Sequence, residues 1–353
     1  MKSRVCRLYG QHDVRIETDE VQAPGPGQVL LRMGAGGICG SDLHYYHDGG
    51  FGPIKVREPI ILGHEVAGTI AATGEGVHSL PVGTRVALNP SRACGHCQYC
   101  DAGTPRHCVN MRFSGSAMRL PHEQGGFREY MIAQAEQCEP LSQHTSLAAA
   151  ACAEPLAVAL HARNQAVSLA GALKGKRVLV TGAGPIGSLC VAVAYEAGAS
   201  QIVATDLQDA TLAVARRMGA SQTINVSTDG AALEPYFEQK GYFDVCFECS
   251  ASASALRSAA MAVHPCGTIV QVGVAGDVAV PLNMIVGKEI SLRGSHRFDA
   301  EYPEAVRLID QGLIDVRPII TASYPLEEAI EALKAASDRS RSVKVQLALG
   351  SDY

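Results

Sequence analysis

The chain has 353 residues, of which 47% are hydrophobic and 18% charged, and its formal net charge is −5. This length exceeds what one hydrophobic core normally supports, so we expect two domains. The composition excludes a disordered, collagen-like or coiled-coil protein, and the small negative charge argues against nucleic acid or an anionic membrane as a partner. No apolar signal segment opens the sequence, and the most apolar run, residues 147–160, is too short for a membrane span, so a cytoplasmic protein is predicted.

The first 150 residues are rich in glycine and proline and contain short β-like segments such as QVLLRM and HEVAGTIAATG. This pattern predicts a mainly β domain. Four of the twelve cysteines of the chain are grouped in one segment of this domain: Cys94, Cys97, Cys100 and Cys108. Tetrahedral zinc accepts four thiolates, and a shell closed in this way serves structure rather than catalysis. The alternative is a loop of unligated cysteines; the other eight cysteines are dispersed and are expected to stay reduced.

From Lys174 onward, apolar runs alternate with helix-patterned stretches. Helices are predicted near residues 211–218 and 253–263, and strands in RVLV, QTINV, FDVCFECS, GTIVQVGV and EISLRGS. Strands that alternate with helices predict a parallel, doubly wound sheet. This part of the chain is therefore expected to be an α/β domain.

A glycine-rich turn follows the first of these strands directly and precedes a helix. The motif G-x-G-x-x-G consists of Gly182, Gly184 and Gly187, with Pro185 and Ile186 between the last two glycines. In this context the glycines allow a tight turn, a close approach to a pyrophosphate and close packing of helix on strand. The alternative is a glycine-rich turn that binds no ligand.

The cofactor predicted for this turn is NAD. Asp206 ends the second strand, where a carboxylate can accept hydrogen bonds from the adenosine ribose. Its negative charge would oppose the 2′-phosphate of NADP, and no basic residue follows at once, although NADP is kept as an alternative cofactor. Val272 and Val274, at the end of a later strand, are expected to line the same site.

After residue 296 the chain contains two helical segments, Glu301–Gln311 and Leu326–Ser337, and then the strand-like SVKVQLAL. These segments are expected to rejoin the first domain. The predicted organisation is therefore one domain of residues 1–150 and 297–353, interrupted by a second domain of residues 151–296.

Three further residues, Cys39, His64 and Glu65, carry metal-binding side chains, but their spacing alone does not separate a metal site from packing. The segments around them, GGICGSDLHYY and ILGHEVAG, together with CGHCQYC and the glycine-rich turn, resemble the zinc-dependent medium-chain dehydrogenases over almost the whole chain, and most closely the sorbitol dehydrogenase-like branch. The resemblance implies a GroES-like, mainly β catalytic domain, a Rossmann NAD-binding domain, and two zinc ions per subunit, one catalytic and one structural.

The resemblance also implies roles for individual residues. Cys39 and His64 would be ligands of the catalytic zinc, with either Glu65 or Glu154 as the acidic ligand and the other as its neighbour. The proton would leave through Glu154 and water, or through Ser41 and His44. The substrate pocket would be lined by Tyr45, Phe113, Glu154, Arg297 and Phe298.

The reaction implied is transfer of a hydride from a secondary alcohol of a sugar acid or polyol to NAD, with L-idonate oxidised at C5 as the leading candidate. Animal sorbitol dehydrogenases carry tyrosine where Phe298 stands and lack the four-cysteine segment, so sorbitol is not the expected main substrate. Arg297 and Arg112 are the candidates for binding a substrate carboxylate. Sorbitol, xylitol and threonine remain alternative substrates, a non-catalytic NAD-binding protein is the alternative class, and a homo-oligomer, dimer or tetramer, is expected.

Overall fold

A computed structural model of the protein describes residues 1–274 and 276–350. The first 150 residues form a mainly β region, as predicted. Its strands are β1 (Lys2–Gly10), β2 (Asp13–Glu20), β3 (Gln28–Gly37), β4 (Gly50–Phe51), β5 (Ile54–Lys55), β6 (Ile60–Ile61), β7 (Glu65–Thr73), β8 (Arg85–Leu88), β9 (Ser91–Arg92), β10 (Arg112–Phe113), β11 (Tyr130–Gln134) and β12 (Cys138–Pro140). Its helices are α1 (Gly40–Asp48), α2 (Gln98–Asp101) and α3 (Leu147–Ala150).

The second region is the predicted parallel, doubly wound sheet. Its strands are β13 (Arg177–Thr181), β14 (Gln201–Asp206), β15 (Gln222–Asn225), β16 (Phe243–Glu248), β17 (Val263–Gln271) and β18 (Ser291–Gly294). Its helices are α4 (Ala153–Ala170), α5 (Pro185–Glu196), α6 (Asp209–Arg217), α7 (Ala253–Ala262) and α8 (Leu282–Gly287). The strands lie in the order β15-β14-β13-β16-β17-β18, and each neighbouring pair is parallel.

This strand order reverses direction between β13 and β16. In open parallel sheets, ligands bind at the carboxyl ends of the strands where the order reverses. The glycine-rich turn follows β13, so it lies at this position. The apolar strands are buried on both faces because helices cover both sides of the sheet, which explains their nearly continuous hydrophobic sequence.

The remaining elements are α9 (Glu301–Asp310), β19 (Ile320–Pro325), α10 (Ala329–Ser337) and β20 (Lys344–Ala348). Strand β20 pairs antiparallel with β3 and parallel with β19, so the late segments lie in the first sheet. Strand β19 was not predicted, because its exposed side chains alternate with half-buried ones and provide little hydrophobic signal. The domain limits of residues 150 and 297 stay a prediction.

Short 3₁₀ helices span Pro105–His107, Ala135–Gln137, Arg317–Ile319 and Leu326–Glu328, and a 3₁₀ segment, Gly230–Lys240, is broken by non-helical Glu238 and Gln239. Helix α4 connects the two regions: it packs on α5, α9, β16 and β17, and also on β7 of the first sheet. Its first turn therefore lies at the boundary between the two sheets, and Glu154 is in that turn. Within the described residues, no helix combines the length and apolar character needed to cross a bilayer.

Candidate active site and metal centres

The four-cysteine segment forms a compact thiol cluster. The sulfur atoms of Cys94, Cys97, Cys100 and Cys108 lie within 4.8 Å of one another, and those of Cys97 and Cys100 are 3.6 Å apart. Four thiolates around one zinc, each at about 2.3 Å, lie roughly 3.8 Å from one another, so this arrangement fits the ion. The backbone N–H groups of Cys94 and Asn110 donate to the Cys108 sulfur at 3.2 and 3.3 Å, as they would to a thiolate.

A second cluster joins three residues from two separate segments. The donor atoms of Cys39, His64 and Glu65 lie within 4.8 Å of one another. Cys39 precedes α1, and Glu65 begins β7 directly opposite Gly37 of β3. A Cβ atom on Gly37 would lie 2.1 Å from a carboxylate oxygen of Glu65, which explains glycine at this position. A thiol, an imidazole and a carboxylate are a donor set typical of a catalytic zinc, which needs three protein ligands and one open position.

Asp42 holds the two segments of this cluster together, and sequence reasoning missed it. Its fully buried carboxylate accepts hydrogen bonds from the N–H of Cys39 at 2.9 Å and of Gly63 at 3.3 Å. One of its oxygens is 3.8 Å from Nδ1 of His64. A carboxylate behind a ligating histidine orients the ring and raises its basicity.

Lys344 is the second residue that sequence reasoning missed. Its ammonium lies 2.7 Å from both carboxylate oxygens of Glu65 and 3.1 Å from the carbonyl oxygen of Ile38, and the residue is only 2% exposed. Burial lowers the pKa of Lys344, but Glu65, Cys39 and Cys152 together raise it above its ordinary value, so the ammonium stays charged. The ammonium of Lys344, on strand β20, therefore pairs with the carboxylate of the cluster.

Glu154 lies beside this cluster without joining it. The three residues whose donor atoms converge include Glu65, not Glu154. Burial raises the pKa of Glu154 to about 7, although the charge of His64 opposes the shift. The geometry favours Glu65 as the acidic ligand, and that role remains a proposal.

An aromatic side chain and then a cationic one lie next to His64, outside the three-residue cluster. The ring of Phe113 lies 5.3 Å from that of His64, and the Arg297 guanidinium lies 4.4 Å above the centre of the Phe113 ring. Arg297 also donates to the sulfur of Met118 at 3.1 Å, a contact that the sequence did not suggest. The φ angle of Arg297 is 52°, a left-handed conformation that costs a non-glycine residue roughly 1–2 kcal/mol. The surrounding contacts therefore hold a strained arginine one aromatic ring away from the metal-ligand set.

Tyr45 and Phe298, two other residues predicted for the pocket, are both buried. The hydroxyl of Tyr45 accepts from the N–H of Ala117 at 3.2 Å, and Phe298 packs on Tyr302. Packing against Tyr302 is enough to explain why Phe298 is buried, and its contact with a substrate stays a prediction. Ser41 and His44 both lie on α1, three residues apart, which places them on one face of the helix. His44 is largely exposed and lies 3.0 Å from Asp48.

Arg112, the second candidate for a substrate carboxylate, lies elsewhere. Its guanidinium pairs with Glu123, and the residue is exposed. Successive residues of a strand point to opposite faces, so Arg112 is directed away from the side on which Phe113 meets His64. The structure therefore leaves Arg297 as the arginine beside the cluster.

The glycine-rich turn has the form that a pyrophosphate site requires. Gly182 has a φ of 83°, and a Cβ on Gly187 would lie 1.7 Å from the carbonyl oxygen of Gly182. A Cβ on Gly184 would meet open space, which leaves room for a ligand to approach the backbone. Pro185 begins α5, and the half-buried Ile186 follows it, so the helix N-terminus faces this space.

Asp206 lies beside the glycine-rich turn and forms a hydrogen bond with it. Its carboxylate accepts from the N–H groups of Ala183 at 2.6 Å, Leu207 at 2.7 Å and Gln208 at 3.0 Å. The carboxylate is thus fixed at the end of β14 beside the turn. Of the two valines predicted for this site, Val272 is 8% exposed and Val274 is 62% exposed.

Glu248, at the end of β16, is a buried carboxylate that sequence reasoning also missed. It accepts from the N–H groups of Ser250 at 2.9 Å and Ala251 at 3.1 Å, and from the side chains of Ser250 and Gln271. Ala251 has a φ of 57°, and a Cβ on Gly182 would lie only 2.8 Å from the backbone nitrogen of Ser250. Glu248 therefore fixes the loop that packs against the glycine-rich turn.

Comparison with known proteins identifies the family. Residues 25–143 match the family model of the alcohol dehydrogenase GroES-like domain, and residues 185–311 match that of the zinc-binding dehydrogenases. The chain belongs to the zinc-binding dehydrogenase family. The predicted combination of a GroES-like and a Rossmann-like domain is confirmed. The metal-ligand roles of the two clusters stay a prediction.

Several members of the zinc-binding dehydrogenase family are similar over nearly the full length. The chain is 40% identical to L-idonate 5-dehydrogenase (NAD(P)(+)) of Escherichia coli K12 over 348 residues, 98% of this chain and 99% of that protein. It is 33% identical to sorbitol dehydrogenase of Bacillus subtilis over 95% of this chain and 93% of that protein. The solved structure of the E. coli L-idonate 5-dehydrogenase superposes with a TM-score of 0.92, covering 99% of this chain and 98% of that one.

Proposed function

We propose that this zinc-binding dehydrogenase oxidises L-idonate at C5 to 5-dehydro-D-gluconate, reversibly, with NAD as the hydride acceptor. The observation that carries the proposal is the position of Arg297, a cation stacked on Phe113 next to the His64 end of the three-ligand cluster. A sugar acid offers both a secondary alcohol for the cluster and a carboxylate for the arginine. The similarity to an L-idonate 5-dehydrogenase agrees with this assignment.

The residues fit the cofactors that this chemistry needs. Zinc held by Cys39, His64 and Glu65 would act as a Lewis acid on the substrate hydroxyl. NAD on the glycine-rich turn would accept the hydride. The chain itself then binds the carboxylate through Arg297 and carries the proton away. Because His44 is largely exposed and Ser41 lies on the same face of α1, we assign the exit of the proton to these two residues, with Glu154 as the buried alternative.

A substrate panel tests the proposed function. L-idonate, sorbitol, xylitol and threonine are compared by the appearance of NADH, and L-idonate is expected to give the highest kcat/KM. Sorbitol or xylitol in first place would move the assignment to a polyol dehydrogenase. Binding of NAD without turnover of any of the four would favour a non-catalytic NAD-binding protein instead.

Arg297 is predicted to discriminate between a sugar acid and a neutral polyol. Its replacement by alanine or lysine removes the two-pronged donor, so kcat/KM for L-idonate should fall by roughly ten- to a hundredfold, equivalent to about 1.5–3 kcal/mol. Sorbitol is the control, since it has no carboxylate and should lose much less. Equal losses on the two substrates would show that Arg297 does not bind the carboxylate.

Cofactor preference is predicted to depend on Asp206. Wild type should use NAD better than NADP, because the carboxylate opposes a 2′-phosphate and its neighbours Leu207 and Gln208 are uncharged. Asp206→Ala, alone or with Leu207→Arg, should narrow or reverse the ratio of kcat/KM for the two cofactors. A wild type that prefers NADP would refute this prediction.

The edge of the parallel sheet supports a homo-oligomer. Strand β18 has no neighbour on its outer side among the described residues, and several large apolar side chains near it are exposed: Val278, Val280, Leu282, Val286 and Leu292. An open strand edge with exposed apolar residues favours pairing with a second copy. Sedimentation of wild type and Leu292→Asp tests this, with a dimer or tetramer expected for wild type and dissociation for the variant.

A reducing, cytoplasmic location agrees with the twelve cysteines, none of which forms a disulfide.

A further inference from the structure

Residues of the four-cysteine segment contact the Arg297 loop, residues 296–299. Arg106 lies within that segment, in the 3₁₀ helix Pro105–His107. Its backbone N–H donates to Oδ1 of Asp299 at 2.7 Å, and its guanidinium donates to the other oxygen of the same carboxylate. Arg106 and Asp299 are 193 residues apart in the chain, so this contact joins two distant segments. Both side chains are only 17% exposed, and water therefore screens their ion pair little.

Two stacked rings join the same segments. The imidazole ring of His107 lies 6.0 Å from that of His296, with an angle of 19° between the ring planes. His107 follows Arg106 directly, and His296 directly precedes Arg297. The four-cysteine segment therefore contacts the Arg297 loop both before the arginine, at His296, and after it, at Asp299.

The other side of the Arg297 loop is fixed to helix α4. The N–H of Asp299 donates to Glu301 at 2.8 Å. The same Glu301 carboxylate is hydrogen-bonded to Nδ1 of His161 at 2.9 Å and accepts from the amide of Asn164 at 3.0 Å, both on α4. Burial would raise the pKa of Glu301, but these hydrogen bonds lower it to about 2, so the carboxylate is charged. Asp299 is thus held between α4 and the four-cysteine segment.

Phe113 provides a second, independent connection between the four-cysteine segment and Arg297. Phe113 packs in one apolar cluster with Cys108 and Met111, and the other three cysteines of the segment pack against this cluster. The Arg297 guanidinium lies over the Phe113 ring. The guanidinium therefore rests on a side chain that packs on the thiol cluster, while the backbone beside it is bound through Asp299.

We propose that Arg106 and Asp299 are positioning residues, which hold Arg297 in place and so set the preference of the enzyme for an acidic substrate. This inference rests on the proposed function, because it takes Arg297 as the group that binds the substrate carboxylate. The left-handed backbone of Arg297 persists only where surrounding contacts determine it, and the ion pair two residues away is such a contact. A two-pronged contact with a carboxylate depends on the direction of the guanidinium, so a relaxed loop would weaken it.

Asp299→Asn tests the inference on the intact, zinc-loaded enzyme, with L-idonate and sorbitol as substrates. The variant keeps an oxygen for the Arg106 N–H but loses the charge that binds the guanidinium. The value of kcat/KM for L-idonate should fall by about tenfold, mainly through a higher KM, because a displaced arginine binds the carboxylate less well. Sorbitol has no carboxylate, so its kcat/KM should change little.

Two substitutions of Arg106 examine the other side of the same ion pair. Arg106→Met removes the guanidinium and should reproduce the selective loss on L-idonate. Arg106→Lys keeps the charge and should recover most of the wild-type ratio of kcat/KM for the two substrates. Zinc content should match that of wild type in both variants, because the four thiols are unchanged.

Asp244→Asn is the matched control. Asp244 also accepts from the backbone N–H and the guanidinium of a single arginine, Arg177, and its side chain is 18% exposed. It lies near the amino end of β16, opposite to the carboxyl end that carries Glu248. This variant should keep the wild-type ratio of kcat/KM for L-idonate and sorbitol, whatever its effect on the Tm.

A double variant, Asp299→Asn with Arg297→Ala, separates this inference from the proposed function. If Asp299 acts through Arg297, the double variant should lose no more kcat/KM on L-idonate than Arg297→Ala alone. Losses that multiply, or an Asp299→Asn variant that loses equally on both substrates, would overturn the inference and leave the proposed function intact. An Arg297→Ala variant that loses equally on both substrates would instead refute the role of Arg297, and the positioning role would fall with it.

Discussion

Cys39→Ser is expected to abolish turnover while the purified protein stays folded and keeps about half of its zinc, because only one of two proposed zinc sites loses a ligand. The three-ligand cluster must leave a position open for substrate, and serine is a poor replacement for a thiolate ligand. Zinc content, thermal unfolding and NADH formation measure the three parts of this prediction on the same preparation.

Cys100→Ser is the matched control, since it changes the same side chain in the four-thiol cluster. That cluster is closed, so its loss should lower the Tm or disrupt assembly. Loss of activity in both variants with unchanged thermal stability would contradict the division into a catalytic and a structural site.

Lys344→Met should destabilise the protein by about 3–5 kcal/mol, the usual cost of removing one partner of a buried ion pair. The reason is that Glu65 would remain buried next to Cys39 without the ammonium that contacts both of its oxygens. Bound zinc would supply part of the missing positive charge, so the loss should be larger after the metal is removed. Urea unfolding with and without a chelator measures both values.

A double-mutant cycle with Glu65→Gln separates the ion pair from the packing of the lysine stem. The double variant Glu65→Gln with Lys344→Met should be more stable than the sum of the single losses predicts, since it leaves no unpaired charge. Additivity to within about 0.5 kcal/mol would show that the two residues do not interact energetically. Lys344→Arg should retain most of the stability because it keeps the charge.

The features that sequence predicts well are local ones. The glycine-rich turn is recognisable because Gly182, Gly184 and Gly187 stand directly between a strand and a helix, and their conformations in the structure follow from that position. The four cysteines of the thiol cluster are recognisable as well, because they lie within a single short segment. The resemblance to dehydrogenases then brings in Cys39 and His64, whose separation in the chain hides their proximity.

The residues that were missed act over long separations or through ordinary side chains. Lys344 is 279 residues from Glu65, and nothing in SVKVQLAL marks its lysine as buried. Asp42 and Glu248 are common acidic residues whose roles depend on which backbone N–H groups the fold brings to them. Arg112 was a candidate because a planar guanidinium suits a carboxylate, and the sequence could not show that it pairs with Glu123 on the strand face opposite to that of Phe113.

The pairing of β20 with β3 determines when the cluster around Glu65 can be completed during synthesis of the chain. Domains generally fold in order as the ribosome releases them, from the N-terminus onward. Here Cys39, His64 and Glu65 precede the parallel sheet in the chain, but the cation that balances Glu65 is on β20, which follows it. The nascent chain must therefore carry an incomplete metal site through the synthesis of the whole nucleotide-binding region. We expect zinc uptake at this site to follow translation rather than accompany it.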